Sequence, residues 1–219
     1  MDLVERYTGA SPDNAPLHKL GSGQWDKVKS KAKQKANDAA VEILEILARR
    51  STKKGKKYFA RDDGYSSFCQ RFYFEETPDQ KEAINQILID LESSQPMDRL
   101  LCGDVGFGKT EVAMRAAYAV ANSGVQVAIL APTTILVQQH FDTFVERFSE
   151  TPIKIAALSR SIEKRNISST LVDIRSGVVD IVIGTHKLLG DSIKFKDLGL
   201  LIVDEEHRFG VRQKEKIKK

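Results

Sequence analysis

The stretch Gly103-Asp-Val-Gly-Phe-Gly-Lys109-Thr110 decides the fold of this chain, because it fits the pattern G-x-x-x-x-G-K-[ST]. An apolar run, Leu100-Leu-Cys102, precedes it, and a helical pattern from Thr110 to Ala121 follows it. Glycines let such a loop fold back on itself and turn its N–H groups inward, where they bind phosphate oxygens. The helix that begins at the loop adds unpaired amides and the positive end of its dipole. The sequence therefore predicts a strand, a phosphate-binding loop and a helix in succession.

A second motif, Leu200-Leu-Ile-Val-Asp204-Glu205-Glu206-His207, ends a β-type apolar run with paired carboxylates. This pattern is typical of a strand that holds Mg²⁺ beside a bound triphosphate. In the usual division of roles, Lys109 bridges the β- and γ-phosphates, while the Thr110 hydroxyl and the Asp204 carboxylate hold the metal. Glu205 follows at the position from which a carboxylate orients or deprotonates the attacking water. The two motifs together predict an ATPase that uses ATP and Mg²⁺, with Lys109, Asp204 and Glu205 as its catalytic residues.

The C-terminal two thirds of the chain alternate between apolar runs and helical patterns. Alternation of this kind predicts an α/β fold, a parallel sheet with helices on both faces and active residues at the carboxyl ends of the strands. Both motifs lie at such ends. We expect strands over 99–102, 126–130, 153–158, 180–184 and 199–204, and helices over 77–92, 110–122, 133–148, 163–176 and, briefly, 185–189.

The N-terminal part has a different composition. Residues 1–24 contain the glycines and prolines typical of a loop, and from Trp25 to about Arg50 the pattern is helical. Between Asp26 and Arg61, twelve Lys and Arg residues stand against four Asp and Glu residues. This basic stretch predicts contact with a polyanion or an acidic partner surface, or else a solvated helix face. An apolar stripe predicts that the second half of the helix docks, and its members are Ala36, Ala40, Ile43 and Leu47.

Composition also bears on the compartment. No apolar run approaches the roughly 20 residues that span a bilayer, and residues 1–5 do not resemble a signal peptide. Cys69 and Cys102 are too few for a metal cluster or a disulfide framework. We expect Cys102 to be a buried thiol in the strand before the loop. These features predict a cytoplasmic protein.

Four segments resemble the motifs of superfamily 2 helicases. Pro132-Thr-Thr-Ile-Leu-Val-Gln-Gln-His140 looks like motif Ia, Gly184-Thr-His-Lys-Leu-Leu189 stands in the place of motif Ib, and Asp204-Glu-Glu-His207 is a DExH box. Phe74-Glu-Glu-Thr-Pro-Asp-Gln80 resembles the Q motif, whose glutamine reads the adenine edge while the aromatic ring lies against the base. The resemblance implies the RecA-like first lobe of a helicase, in which ATP is bound by Phe74, Gln80, Gly103, Asp104, Val105, Gly106, Phe107, Gly108, Lys109, Thr110 and Glu111.

Longer matches are similar to the bacterial transcription-repair coupling factors. They are Pro96-Met-Asp-Arg-Leu100, the stretch from Gly103 to Ala117, and Asp204-Glu-Glu-His-Arg-Phe-Gly-Val211. The stretch from Leu17 to Trp25 is similar to the join between the RNA polymerase-interacting domain and the motor of that family. The resemblance implies the tail of an upstream domain over 1–24, a basic linker helix and loop over 25–61, and the RecA-like lobe over 62–219.

This family resemblance also implies a function and partners. Members are translocases that grip double-stranded DNA, displace stalled RNA polymerase with energy from ATP, and recruit excision-repair proteins. Small hydroxyl side chains suit contact with the DNA backbone, because binding to phosphate is independent of base sequence and needs close approach. Thr133 and His186 have local alternatives, since the first can start its helix and the second can satisfy a nearby carbonyl. Carried over by motif, the DNA-binding residues are Thr133, Thr134, Ser159, Arg160, Thr185 and His186.

Motors of superfamily 2 also need a second lobe that carries an arginine finger, and the sequence stops soon after the DExH box. We therefore expect the 219 residues to be a fragment that binds nucleotide modestly and hydrolyses it very slowly. A finger is worth ~10³-fold or more in rate in related NTPases. Arg115, Arg208 and Arg212 are expected to serve local ion pairs or coupling to DNA.

Three other functions are compatible with the sequence. The first is the lobe of a RecG-like helicase for branched DNA, although such proteins usually have Ser in place of Phe107 and Gln in place of Glu206. The second is a non-enzymatic adaptor that docks through the basic stretch and uses nucleotide only as a structural ligand. The third is a P-loop ATPase unrelated to nucleic acid, against which the resemblance to motifs Ia and Ib argues.

Overall fold

The computed structural model describes residues 24–52, 54–59, 61–158, 164–190 and 192–205. The chain forms two compact units, one ending at Arg50 and the other beginning at Ser51. Within the described ranges, no helix combines the length and the apolar character needed to cross a bilayer. Most of the predicted tail over 1–24 and two of the predicted DNA contacts, Ser159 and Arg160, lie outside the described residues.

A long helix, α1 (Gln24–Ser51), confirms the helical pattern predicted over 25–50. Residues with high helix propensity dominate it, and no glycine or proline interrupts it. Asp26 lies in its first turn, where a negative charge complements the helix dipole. The lysines of its first half are exposed, and so are Ala36 and Ala40 of the predicted apolar stripe. Docking of its second half stays a prediction.

The second unit is built on a parallel sheet, whose strands within the described residues are β1 (Gln126–Leu130), β2 (Ile155–Leu158), β3 (Ile181–Gly184) and β4 (Leu198–Val203). Their order across the sheet is β2-β3-β1-β4. Val127 of the inner strand β1 lies opposite Ile181 on one side and Leu200 on the other. Every residue of β1 and β3 is buried, as expected for apolar strands covered on both faces.

Helices cover both faces of this sheet, which confirms the predicted architecture. On one face, Val127, Ile129, Ile181 and Ile183 belong to the larger hydrophobic cluster. On the other face, Leu130 and Val182 pack with Ile174 and Leu188. The helices are α2 (Asp63–Gln70), α3 (Pro78–Glu92), α4 (Lys109–Asn122), α5 (Thr134–Arg147) and α6 (Lys164–Ser176), with a 3-10 turn at His186–Leu189.

Local signals explain where α3 begins, whereas α2 was not predicted. Thr77 and Gln80 form a capping box, in which Thr77 Oγ1 accepts from Gln80 N at 3.2 Å and Gln80 Oε1 accepts from Thr77 N at 2.9 Å. The short helix α2 lies between Tyr58 and Phe74, where the sequence is rich in aromatic residues but has no clear hydrophobic period. Its Phe68 is fully buried and stacks on Tyr118 with 4.4 Å between ring centroids. Tertiary packing therefore determines α2.

The strand predicted over 99–102 is wrong. This segment is not part of the sheet, Leu100 is 77% exposed, and Cys102 is exposed rather than buried. Arg99 is instead tied to α3, because its guanidinium donates to Asp90 Oδ2 and to Gln86 Oε1, each at 2.7 Å. Only two strongly apolar residues follow Arg99, too few to drive burial on both faces as in β1.

The buried side chain of Gln126, the first residue of β1, connects backbone segments at the amino ends of the strands. Gln126, 4% exposed, donates from Nε2 to Ile174 O at 2.9 Å and to Val179 O at 2.8 Å. Its Oε1 accepts from Lys196 N at 2.8 Å and from Asp197 N at 3.2 Å. Both N–H groups and the oxygen of the amide are therefore used by backbone groups, of which Ile174 O also accepts from Gly177 N at 3.2 Å.

Replacing this amide with an apolar group is expected to destabilise the fold. Gln126→Leu leaves the buried Val179 O and the partly buried N–H groups of Lys196 and Asp197 without these bonds. Each unsatisfied group costs about 1–3 kcal/mol, so we expect a total loss of roughly 2–5 kcal/mol. Urea unfolding measures it. The matched control is Gln138→Leu on the exposed face of α5, where the Gln138 side chain donates to Asp142 Oδ1 at 2.8 Å. Equal unfolding midpoints for the two variants would contradict the assignment.

Candidate functional site

The loop between 103 and 108 presents an open cradle of backbone. Gly106 and Gly108 have φ of 85° and 69°, in the left-handed region that glycine tolerates. Gly108 is the N-cap of α4, and a Cβ there would lie 2.3 Å from Gln80 Nε2. Val105 and Phe107 at the tip are exposed. Free amides at the start of α4 therefore border solvent, which is the arrangement that binds anions.

Lys109 folds back across this cradle. Its Nζ donates to Gly103 O at 2.5 Å and to Asp104 O at 2.7 Å. Two neutral carbonyls hold the ammonium, so its charge is available to an anion that enters the loop. The positive charge of Lys109 also helps to lower the pKa of the Asp204 carboxyl. The structure thus brings together the two predicted motifs, which lie about a hundred residues apart in the chain.

Asp204 lies at the carboxyl end of β4 and is held by several groups. Its backbone N–H donates to Leu130 O at 2.9 Å, and its Oδ2 is 2.7 Å from His140 Nε2. The hydrogen bond from His140 is the main cause of a lowered pKa for the Asp204 carboxyl. The Glu205 backbone N–H and the charge of Lys109 add to it and outweigh the opposing effect of burial. Asp204 is therefore ionised at neutral pH.

Glu205 has an unusual backbone conformation. Its φ is 49°, and among the described residues no other non-glycine residue has a positive φ. Such a conformation costs free energy and persists only where the surroundings enforce it. It turns the chain sharply at the end of β4, directly after Asp204. The residue predicted to act on the attacking water is thus the strained one.

A cavity of about 860 Å³ lies beside the loop. Its walls include Phe74 and Gln80 from the segment that resembles the Q motif, together with Gly106, Gly108 and Thr110. Gln80 Nε2 donates to Phe107 O at 2.9 Å, so in this arrangement the glutamine links its helix to the loop. The Phe74 ring is largely exposed and meets the Phe72 ring edge-on, with 5.6 Å between ring centroids, so its predicted contact with a base stays a prediction.

Glu111, predicted as a nucleotide contact, is a buried anchor in this structure. Its Oε1 accepts from Arg115 Nε at 2.8 Å and from Arg147 at 2.8 Å, and its Oε2 accepts from Arg147 Nε at 3.1 Å. Arg115 also pairs with Glu76, and Arg147 lies over the Phe68 ring at 3.9 Å from its centroid. Although burial opposes its charge, the hydrogen bond and charge of Glu111 raise the pKa of Arg115. This network, Glu76–Arg115–Glu111–Arg147, fixes α4 to α5 and to the segment before α3.

The predicted DNA contacts that the structure describes lie at the carboxyl edge of the sheet. Thr133 is the N-cap of α5 and accepts from Leu136 N at 3.2 Å, which is the local alternative role. It is nevertheless exposed, as is His186, whereas Thr185 is buried. Thr134 begins α5 and is partly exposed. Their contact with DNA stays a prediction.

Sequence reasoning missed two features of the site. His140 was included in the resemblance to motif Ia but was given no role, although it lies against Asp204 across 64 residues of sequence. The local ion pair expected of Arg115 is present, with Glu111 at 2.8 Å, but the rest of the network around Glu111 was missed. The spacing of Glu111 and Arg115 by four residues on a helix is a signal that could have indicated their pairing. No local pattern connects either residue with Arg147.

Comparison with known proteins agrees with this geometry. A model of the family described as DEAD/DEAH box helicase matches residues 77–219, the greater part of the chain. The chain belongs to the DEAD/DEAH box helicase family. The matched region includes the loop, the DExH box and the second half of the segment that resembles the Q motif, from Thr77 to Gln80, but not Phe74.

Particular helicase-family relatives match the whole chain. It is 52% identical over 218 residues to the transcription-repair-coupling factor of Escherichia coli (strain K12), covering 100% of this chain and 19% of that protein. It is 50% identical over 218 residues to the transcription-repair-coupling factor of Haemophilus influenzae, with the same coverage. These matches confirm the resemblance found in the motifs. The chain spans about a fifth of the length of these relatives.

A solved helicase structure shares the fold. The structure of RecG bound to a three-way DNA junction is 38% identical and superposes with a TM-score of 0.71, covering 76% of this chain and 23% of RecG. The prediction of a RecA-like helicase lobe is therefore confirmed.

Proposed function

We propose that this chain is the ATP-binding first motor lobe of a double-stranded DNA translocase. The observation that carries the proposal is that Lys109, at the end of the glycine loop, lies close enough to Asp204, at the carboxyl end of β4, for its charge to lower the pKa of the Asp204 carboxyl. Open amides, an ammonium and an ionised carboxylate are together the groups that a magnesium–triphosphate complex requires.

The residues present fit a nucleotide and its metal. Mg²⁺ prefers oxygen ligands and keeps several waters, so one hydroxyl and one carboxylate suffice beside phosphate oxygens. Thr110 and Asp204 would supply these two ligands, and the described residues contain no richer cluster of metal-binding side chains. When bound, Mg²⁺ neutralises charge that develops on the phosphates. The Lys109 ammonium would bind the β- and γ-phosphate oxygens, and Glu205 would orient a water molecule toward the γ-phosphate.

Two of the described arginines, Arg71 and Arg147, line the cavity, and Arg115 joins Arg147 in the network around Glu111. Arg71 pairs with Glu150 at 2.8 Å, and Arg115 and Arg147 are engaged by Glu111. Since all three are held by carboxylates, we infer that the finger comes from another part of the complete protein, and that hydrolysis without it is slow.

For the complete protein, we propose that it couples transcription to excision repair. The support is the identity of about 50% with proteins named transcription-repair-coupling factor. Its partners would be duplex DNA, stalled RNA polymerase and excision-repair proteins. A second candidate is action on branched DNA, which the similarity to RecG favours. The intact protein distinguishes them, because the first activity dislodges stalled polymerase and the second rewinds forked DNA.

Binding to duplex DNA tests the motor proposal directly. The affinity of the intact protein for a random-sequence duplex is measured from 50 to 200 mM salt, with and without a non-hydrolysable ATP analogue. We expect log affinity to fall linearly with log salt, because phosphate contacts release counterions, and the analogue to change the affinity. Affinity that responds to neither salt nor analogue would contradict a DNA motor.

A further inference from the structure

His140 joins the middle of α5 to the end of β4. Its Nε2 lies 2.7 Å from Asp204 Oδ2, and the two side chains are 16% and 35% exposed. A carboxylate oxygen accepts hydrogen bonds, so the imidazole N–H at Nε2 donates this one to Asp204 Oδ2.

This hydrogen bond helps to fix the orientation of the Asp204 carboxylate. The backbone of Asp204 is already held by the bond from its N–H to Leu130 O. The orientation of the carboxylate is then set by the hydrogen bonds that it accepts, from His140 at Oδ2 and from the Glu205 backbone N–H. By holding Oδ2, His140 fixes the orientation in which the carboxylate would meet a metal ion. Partners of this kind orient metal ligands and tune their affinity.

The bond is not needed to attach α5 to the sheet. Val137 and Phe144, one turn to either side, are each only 1% exposed and anchor the helix in the larger hydrophobic cluster. Thr133 caps its beginning. A side chain that served packing alone could be apolar at position 140, as Val137 and Phe144 are.

We propose that His140 is a positioning residue that sets the affinity of the site for Mg²⁺ by orienting the Asp204 carboxylate. The inference rests on the proposed function, in which Asp204 holds the metal. It concerns the metal-dependent part of nucleotide binding, while the loop and Lys109 account for the part that needs no metal.

The test is a titration of Mg²⁺ into the full-length protein with a fluorescent ATP analogue, which reads binding rather than turnover. We expect His140→Ala to weaken the apparent Mg²⁺ affinity by about 10- to 100-fold, the usual effect of losing such a partner. Affinity for the analogue in EDTA should stay unchanged. His140→Gln, whose amide N–H falls near the position of Nε2, should restore most of the loss. Gln139→Ala, an exposed neighbour on α5, serves as the control.

The outcomes separate this proposal from the function it rests on. If the wild-type protein responds to Mg²⁺ and His140→Ala responds at the same or a lower concentration, the positioning role is overturned. An equal loss of analogue affinity in EDTA would also overturn it, because that would indicate general damage to the site. If the wild-type protein shows no response to Mg²⁺, or Asp204→Asn leaves the response intact, the proposed metal site itself fails.

Discussion

Replacing Lys109 with alanine is expected to lower ATP turnover of the intact protein by about 10²- to 10³-fold, the usual cost of removing one preorganised group that stabilises transition-state charge. The ammonium lies across the loop, between Gly103 O and Asp104 O, and no other described side chain donates to these two carbonyls. Its loss leaves the glycine cradle and α4 intact but removes the positive charge nearest to the phosphates. Steady-state hydrolysis and binding of a fluorescent ATP analogue measure the effect.

The control for this variant is Lys154→Ala, which removes an exposed lysine ahead of β2 and should leave turnover unchanged. Circular dichroism should give the same helix content for both variants and the wild type. Full activity of Lys109→Ala would contradict the motor and favour the adaptor, in which nucleotide is only a structural ligand. Lost hydrolysis with a retained fold supports the motor.

The second large effect is expected on stability. Glu111→Gln leaves Arg147 without its carboxylate and Arg115 with only Glu76, in a site where the Glu111 side chain is 7% exposed. Removing one partner of a buried ion pair costs roughly 3–5 kcal/mol, because the remaining charge stays buried without compensation. We therefore expect a loss of that order in the free energy of unfolding. Denaturant unfolding followed by circular dichroism measures it.

An exposed ion pair of the same length offers a matched control. Arg71 and Glu150 are also 2.8 Å apart, but the Glu150 side chain is 74% exposed. Glu150→Gln should cost less than about 1 kcal/mol, since water screens such pairs and solvates the arginine left behind. If the two substitutions destabilise the protein equally, burial of the network around Glu111 does not matter to its energy. A loss confined to Glu111→Gln supports the anchor.

Local order along the chain was largely predictable. The apolar runs of β1 and β3 and the helix after the glycine loop follow from hydrophobic patterning, and the start of α3 follows from the pairing of Thr77 with Gln80. The failures have a common cause. The segment 99–102 was predicted as a strand from a short apolar run, and α2 was not predicted because its residues have no clear period. In both places, contacts with distant residues outweigh local preference.

The residues of the site also fall into two groups, those that short segments of sequence predict and those that only tertiary packing brings together. The order of residues was enough to indicate a phosphate loop and an acidic strand end, because glycine spacing and a carboxylate after an apolar run are properties of short segments. Packing alone brings His140 to Asp204 and Arg147 to Glu111. A charged group inside a fold must find a partner, but nothing in the neighbouring residues specifies which one. Only the folded arrangement of α4, α5 and β4 decides that choice.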